Sequence, residues 1–469
     1  MNTIDQLKPF LEPKSIAIIG ANPNSGEQAF NILENLAHCG YQGQTYPVNP
    51  YFAEILGKKC YPSITEIPAD IDLAIISTPR SVVPGVVRQC AQKSVRAAIV
   101  VGQGFADAVD EEGKRLQQEL VEAARQGGVR VLGPNTIGTA NAFINFSASF
   151  AKQTDMRRLP IALISQTGMF FGTFGRLRLL GKGIDLGNAC DIDLAESLEY
   201  FEQDPQTKVI VLHIEGVRDG KRFQEVAQRV AKKKPVLALK TGRSERAAGA
   251  AQSHTASLVG RDEVWEAVFK QCGIIRANDI DDLEDLVKAF CYLPPPKGRR
   301  IGIVSVSGGF GIISMDACAR HDLEVVELSP ETVQRLKDIS PHWLRAGNPL
   351  DIWPIMMTLR RPYGETLQAL LTEVLNDHRV DAVVLIAGVW FERLSPPITK
   401  IIEGLADAFP DKPLAWCPYE GWLYDIRTDE LIEKLEGVGK GAVFSSPDRA
   451  MKALARLAEY SEFRQASGA

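Results

Sequence analysis

Several common chemistries find nothing to work with in this sequence. The eight cysteines (39, 60, 90, 190, 272, 291, 318 and 417) are scattered without one Cys-x-x-Cys pair. That spacing argues against a zinc site or a disulfide framework and fits a reducing compartment. No apolar run is long enough to span a bilayer, and the start, MNTIDQLKPFLEPK, lacks the apolar core of a signal peptide. Neither sign of charge prevails: 53 basic against 58 acidic residues leave −5 at pH 7. A balance this close sets aside nucleic acid and anionic membranes as main partners. GxxxxGK[ST] occurs nowhere, so a P-loop is not expected. Histidine is scarce, at six residues (38, 213, 254, 321, 342 and 378).

What is present is the composition of a globular α/β protein. The 469 residues amount to about three domains. Hydrophobic residues make up 45% and charged residues 24%, with 39 Gly and 27 Pro. Short β-branched runs alternate with helical stretches, the rhythm of parallel sheets covered by helices. The first unit, 1–152, carries strands at 15–19, 45–48, 73–77, 97–101 and 129–132, with a helix near 27–39. The second, 153–293, carries strands at 160–165, 208–214 and 235–240. The Pro-Pro-Pro-Lys-Gly stretch at 294–298 reads as a linker. The third, 299–469, carries strands at 300–305, 382–387 and 413–417.

Three constellations carry chemistry. The loop Gly20-Ala21-Asn22-Pro23-Asn24-Ser25-Gly26 follows the first strand, where doubly wound folds bind phosphates. Its spacing is not GxGxxG, and the second strand ends in Tyr46-Pro47-Val48-Asn49-Pro50 without the acid that holds a nicotinamide ribose, so a dehydrogenase is disfavoured. An internal similarity links 162–168 (ALISQTG) with 302–308 (GIVSVSG): each is an apolar strand closing in Ser-x-Thr/Ser-Gly before an expected helix. Small residues and free N–H groups there favour an anion. Finally His254 sits in a thin Ala/Gly/Ser loop, 242–260, able to carry a nucleophilic imidazole into a tight cavity. Glu215, at the end of the 208–214 strand, is placed to hold one imidazole nitrogen.

The runs SIAIIGANPNSG, NLAHCGYQGQTYPVNP, DLAIISTP, VLGPNTIG and KTGRSERAAGAAQSHTASLVG resemble the NDP-forming (ADP-forming) acyl-CoA synthetase α subunits, relatives of the succinyl-CoA synthetase α subunit. The resemblance implies a Rossmann-like CoA-binding domain followed by two flavodoxin-like ligase domains. It implies CoA contacts at Gly20, Asn22, Ser25, Gly26, Asn49, Pro50, Thr78, Pro79, Gly102 and Gln103. Tyr51 departs from the family's Lys after Asn-Pro, and Ala256 from its Gly after Ser-His-Thr. His254 becomes the phosphohistidine and Glu215 its partner. Ser165, Gln166, Thr167 and Gly168, with Ser307, Gly308, Gly309 and Gly311, become phosphate cradles converging from two helix starts.

The implied reaction is ATP + carboxylate + CoA ⇌ acyl-CoA + ADP + phosphate. No stretch is left for the ATP-grasp domain that phosphorylates the histidine in relatives. A separate ATP-grasp β subunit, carrying ATP/ADP and Mg, is therefore expected in a cytoplasmic α2β2 assembly. The substrate is a small organic acid, with Trp343, Trp353, Phe391 and Arg345 as candidates to line its pocket and the 347–351 turn expected to face it. The alternative is a non-catalytic CoA-binding regulatory protein of the same fold.

Overall fold

A computed structural model describes residues 3–26, 29, 31–151, 156–169, 181–244, 246–247, 261–358, 362–419 and 428–468. Three sheets appear in chain order. The first comprises β1 (Ser15–Ile19), β2 (Gln44–Val48), β3 (Leu73–Ile76), β4 (Ala97–Val100) and β5 (Arg130–Leu132), ordered β2-β1-β3-β4-β5 and all parallel. The second contains β6 (Thr139–Asn141), β7 (Phe146–Ser147), β8 (Ile161–Ser165), β9 (Lys182–Asp185), β10 (Val209–Ile214), β11 (Val236–Lys240) and β12 (Ile275–Ala277), ordered β12-β11-β10-β8-β9-β6-β7. The third contains β13 (Arg300–Ser305), β14 (Glu324–Val325), β15 (Leu350–Asp351), β16 (Ala382–Gly388), β17 (Leu414–Tyr419) and β18 (Ala442–Val443). Its order is β14-β13-β16-β17-β18, with β15 also on β13.

One winding is used three times. From a central strand, β1, β8 or β13, the chain sets the next strand on one side, then reverses and builds outward on the other. The reversal opens a crevice at the carboxyl ends of β1 and β3, of β8 and β10, and of β13 and β16, the position where such sheets bind ligands. In the first sheet a parallel bridge between Val48 and Tyr61 adds a further segment outside β2. That addition gives the sheet its Rossmann-like character.

The strands are near-continuous apolar runs since helices cover both faces: β3, β4, β8, β10 and β11 are buried at every position. Acidic caps start many of the helices. Asp110 accepts from Gly113 N at 2.6 Å ahead of α4 (Glu111–Gly127), and Asp193 from Glu196 N at 2.8 Å ahead of α5 (Leu194–Gln203). Among the described residues no helix is long and apolar enough to cross a membrane.

The helix expected near 27–39 begins only at Ile32 and runs to Cys39 as α2. Asn31 is its cap, accepting from Glu34 N while its amide donates to the carbonyls of Asn22 and Asn24. The pair β6 and β7 was not anticipated. Too short to show a period, they join the second sheet antiparallel, Ile184 opposite Thr139 and Ala140 opposite Ser147. Thr139 and Asn141 side chains also bond the carbonyls of Phe10 and Leu11, the end of α1 (Thr3–Leu11).

The chain divides into two compact units, Met1–Asn278 and Asp279–Ala469. The helix α8 (Ile280–Tyr292) thus falls in the second unit, ahead of the Pro-rich stretch. Its Asp285 pairs with Arg449, its Asp282 with Lys452 at 2.8 Å, and its Phe290 ring lies 5.6 Å from that of Tyr460. These partners sit on the last helix, Pro447–Ala466.

Candidate active site

The first crevice is shaped by a close approach. Gly20 ends β1 at φ +83°, and a Cβ there would stand 2.4 Å from the Ser77 carbonyl oxygen. Only glycine lets the loop after β1 lie against the end of β3. Asn22 and Asn49 bind the loop together, donating to the carbonyls of Ala29 (2.8 Å) and Ala21 (3.1 Å). Gly26 N donates to Glu34 Oε2 at 3.0 Å. Ser25, Pro50, Pro79 and Gln103 are exposed along the rim, and Tyr51 stands free at 86% exposure. Thr78 is half-buried and its hydroxyl oxygen, fully shielded, has no hydrogen-bond partner among the described residues. A shielded hydroxyl without a partner beside a backbone-walled crevice fits a polar ligand arm such as that of CoA.

The second crevice joins the other expected residues. Ser165 Oγ, at the end of β8, donates to the Thr167 carbonyl (2.8 Å) and accepts from Thr167 N (3.1 Å). Gln166 is buried, and its side chain spans to β10: its oxygen accepts from Glu215 N (2.7 Å) and Gly216 N (3.1 Å), and its amide donates to the Gly216 carbonyl (2.9 Å). Gln166 is therefore a clamp that fixes the backbone carrying Glu215, which is 8% exposed. His254 lies outside the described residues, as does the helix expected after Gly168.

The segment leading to His254 starts at β11. There Lys240, 2% exposed, donates to the Thr241 carbonyl and lies 5.4 Å over the Trp265 ring. Burial pushes its ammonium down to about 8 against the pull of Asp262. His213, buried between Ser165 and Thr241, is pushed down to about 3 by desolvation and by Lys240, and is therefore neutral.

A cavity of about 430 Å³ brings two of these groups to one place. Its lining includes Gly102 and Gln103 from the first sheet's edge and Gln166, Thr167 and Gly168 from the second sheet's crevice. It also includes Asp185, which the sequence reading passed over. Asp185 is buried at the end of β9, opposite Ser165 in the ladder, and burial pushes its carboxyl up to about 6, with Glu215 adding to the rise. A lone Asp at a short strand's end carries no motif; only the cavity reveals it.

The third sheet repeats the second at its own crevice. Ser305 Oγ donates to the Ser307 carbonyl (2.8 Å) and accepts from Ser307 N (3.1 Å), the same folded-back serine as Ser165. Asp351 stands opposite Ser305 as Asp185 stands opposite Ser165. The 13-residue helix α9 (Gly308–Arg320) follows, and Ser307 makes no side-chain capping bond to it. Its first amides are accordingly left without helical partners. Gly308 and Gly309 are exposed, and Gly311 is packed, a Cβ there meeting Pro349 at 3.0 Å.

The candidates for the acid pocket separate. Phe391 is fully buried core, whereas Trp343, Trp353 and Arg345 are exposed. In the 347–351 turn, the Asn348 side chain accepts from Ile303 N and donates to the carbonyls of Ile301 and Val326. Asn348 thus stitches β13 to its neighbour as a rigid turn.

A doubly wound crevice with a serine-turn cavity beside it fits a CoA-dependent, acid-activating ligase. Family models agree region by region: a CoA binding domain at 14–142, a succinyl-CoA ligase like flavodoxin domain at 158–290 and a ligase-CoA domain at 301–410. The chain is 35% identical to the α subunit of acetate--CoA ligase [ADP-forming] I of Pyrococcus furiosus, covering 98% of both chains. It is also 35% identical to acetate--CoA ligase [ADP-forming] II of Archaeoglobus fulgidus, over 98% of this chain but 68% of that longer protein. The solved dinucleotide-forming acetyl-coenzyme A synthetase 1 of Ca. Korarchaeum cryptofilum, in complex with phosphate and ADP, superposes with a TM-score of 0.86 at 31% identity over 98% of this chain and 97% of that one. The chain belongs to the ADP-forming acyl-CoA synthetase family, as one of its α-type chains. It is an acid–thiol ligase, and the non-catalytic alternative is not favoured.

Proposed function

We propose that this chain passes a phosphoryl group from His254 to a small carboxylic acid and then transfers the acyl group to CoA. The γ-phosphoryl of ATP bonds to an imidazole nitrogen of His254 and ADP leaves. The substrate carboxylate takes the phosphoryl, and the resulting acyl phosphate is attacked by the CoA thiol, whose proton leaves with the released phosphate. Splitting the transfer into steps lowers each barrier, and most of the catalysis is positioning and charge stabilisation.

In this reading Glu215 orients the imidazole. Ser165, Thr167 and Gly168 form one phosphate cradle and Ser307, Gly308, Gly309 and Gly311 the other. Gln166 acts by holding Glu215 in place. Gly20, Asn22, Ser25, Gly26, Asn49, Pro50, Thr78, Pro79, Gly102 and Gln103 line the path of CoA. Three domains follow in this reading, at 1–152, 153–293 and 299–469, with β6 and β7 of the first span completing the second sheet and α8 of the second span packed on the last helix. Mg-ATP binds a separate ATP-grasp β subunit in a cytoplasmic α2β2 assembly; relatives of this chain occur both as named α subunits and as longer single chains.

The observation that carries the reading is the shared cavity, lined at once by Gly102 and Gln103 and by Gln166, Thr167 and Gly168. A thiol arriving along the first crevice meets an acyl phosphate held at the second. The test is incubation of the chain and its ATP-grasp partner with γ-labelled ATP. Acid-labile, base-stable label is expected at His254 and absent from His254→Ala, which also loses acyl-CoA synthesis. Thioester formation without label at position 254 would overturn the proposal.

A further inference from the structure

A second cavity in the first unit has no part in the reaction proposed above. It measures about 450 Å³ and lies at the amino ends of β4 and β5, where Arg96 immediately precedes β4 and Arg130 opens β5. Gly102 and Gln103 of the CoA crevice follow β4 at its other end, beyond four buried residues or about 13 Å of strand. The site is also distinct from the reaction cavity. Gly187 and Asn188 line that one, whereas Cys190 and Asp191, further along the same segment, line this one.

Much of the lining is apolar: Pro9 from α1, Val121 and Ala124 from α4, then Val129 and Cys190. Burial pushes the Cys190 thiol up to about 12, so the sulfur is uncharged. The guanidiniums are of two kinds. Arg130 is fully engaged: Nε and Nη2 bond Asp191 at 2.9 and 3.0 Å, and Nη1 and Nη2 bond Glu196 at 2.7 and 2.8 Å. It ties β5 to the segment after β9 and is a structural group. Arg96 and Arg125 are exposed. Among the described residues Arg96 makes no ion pair, and Arg125 has Glu122 at 3.5 Å, with the two side chains 79% and 52% exposed. A pair so exposed holds a guanidinium weakly. Of the two lining acids, Asp191 is bound to Arg130, and Asp5 stands exposed in the first turn of α1.

We propose that this cavity is a second ligand site and that it takes an amphipathic carboxylate, such as a medium-chain fatty acid. The head lies on Arg96 and Arg125, whose planar forks match a carboxylate. The hydrocarbon body lies on Val121, Ala124 and Val129, removing from water an apolar wall that includes the 37% exposed Val121. The volume is that of a small-molecule site and is ample for a chain of this length.

Isothermal calorimetry of octanoate against the full chain at pH 7.5, with CoA present in excess, tests the assignment. Octanoate is expected to bind, octanol about tenfold more weakly for want of a charge, and acetate not measurably for want of a body. Arg96→Gln combined with Arg125→Gln is expected to weaken octanoate about tenfold while leaving CoA affinity within about twofold of wild type. Val121→Glu, which sets a carboxylate among the apolar lining, is expected to weaken octanoate likewise, and a melting curve checks that each variant folds. Octanoate binding that survives both variants unchanged belongs to another pocket and overturns the inference. An absence of octanoate binding, or octanol binding as tightly as octanoate, overturns it equally, and each of these results leaves the functional reading standing.

Discussion

At the scale of single residues, the second sheet shows how buried charge is kept and where it is spent on structure. Lys182 is 1% exposed, and its ammonium bonds Asp204 at 2.9 Å and Glu12 at 3.2 Å. Asp204 in turn accepts from the Thr207 hydroxyl, and Glu202 two residues earlier pairs with Arg229 and Lys233. The segment Glu202–Thr207 is thus an ionic staple beside β9. Removing one partner of a buried pair leaves the other charge without compensation. Lys182→Met is therefore expected to destabilise the protein by about 3 kcal/mol. Differential scanning calorimetry should show the melting temperature falling by several degrees, with part of the loss recovered when Asp204→Asn is added. Asp185 is the contrasting case: a buried carboxylate held by backbone and hydroxyl donors, with no ion-pair partner among the described residues.

At the scale of elements, the decisive features are strand ends and the turns that follow them. Ser165 and Ser305 fold back on the second residue after themselves with the same two distances, so the internal similarity seen in the sequence is a repeated piece of geometry. The turn after β1 works differently, through the absence of a side chain. Gly20→Ala must strain a backbone at φ +83° and also displace the Ser77 carbonyl, 2.4 Å from the new methyl. It is expected to weaken CoA binding at least tenfold by calorimetry while the circular dichroism spectrum is kept. Gly26→Ala, strained at φ +110° but with nothing within 4 Å of a new Cβ, is expected to weaken it far less. A larger loss from Gly26→Ala than from Gly20→Ala would contradict this account of the crevice.

At the scale of the whole molecule, packing draws the boundary ahead of α8 and not at the prolines. The helix buries Leu283, Leu286, Val287 and Ala289, and its acids pair with Arg449 and Lys452 of the second unit. A fragment ending at Asn278 is expected to stay monodisperse and bind CoA. One ending at Leu293 carries this apolar face without its cover and is expected to aggregate, as size-exclusion chromatography would show. Much of this architecture was legible beforehand. Parallel strands buried on both faces are continuous apolar runs, so β1, β3, β8, β10, β13 and β16 declare themselves without any partner. The crevice residues Gly20, Thr78, Gln166 and Glu215 were legible for a related reason, as they lie immediately after such runs. The sequence by itself thus determined the strands and their closing turns, which are local patterns. Only the tertiary structure decided that Gln166 is a clamp, that β6 and β7 complete the second sheet, that α8 belongs to the second unit and that Asp185 walls the cavity. Each of these depends on residues distant in sequence being brought into hydrogen-bond or packing distance, and no local pattern encodes that.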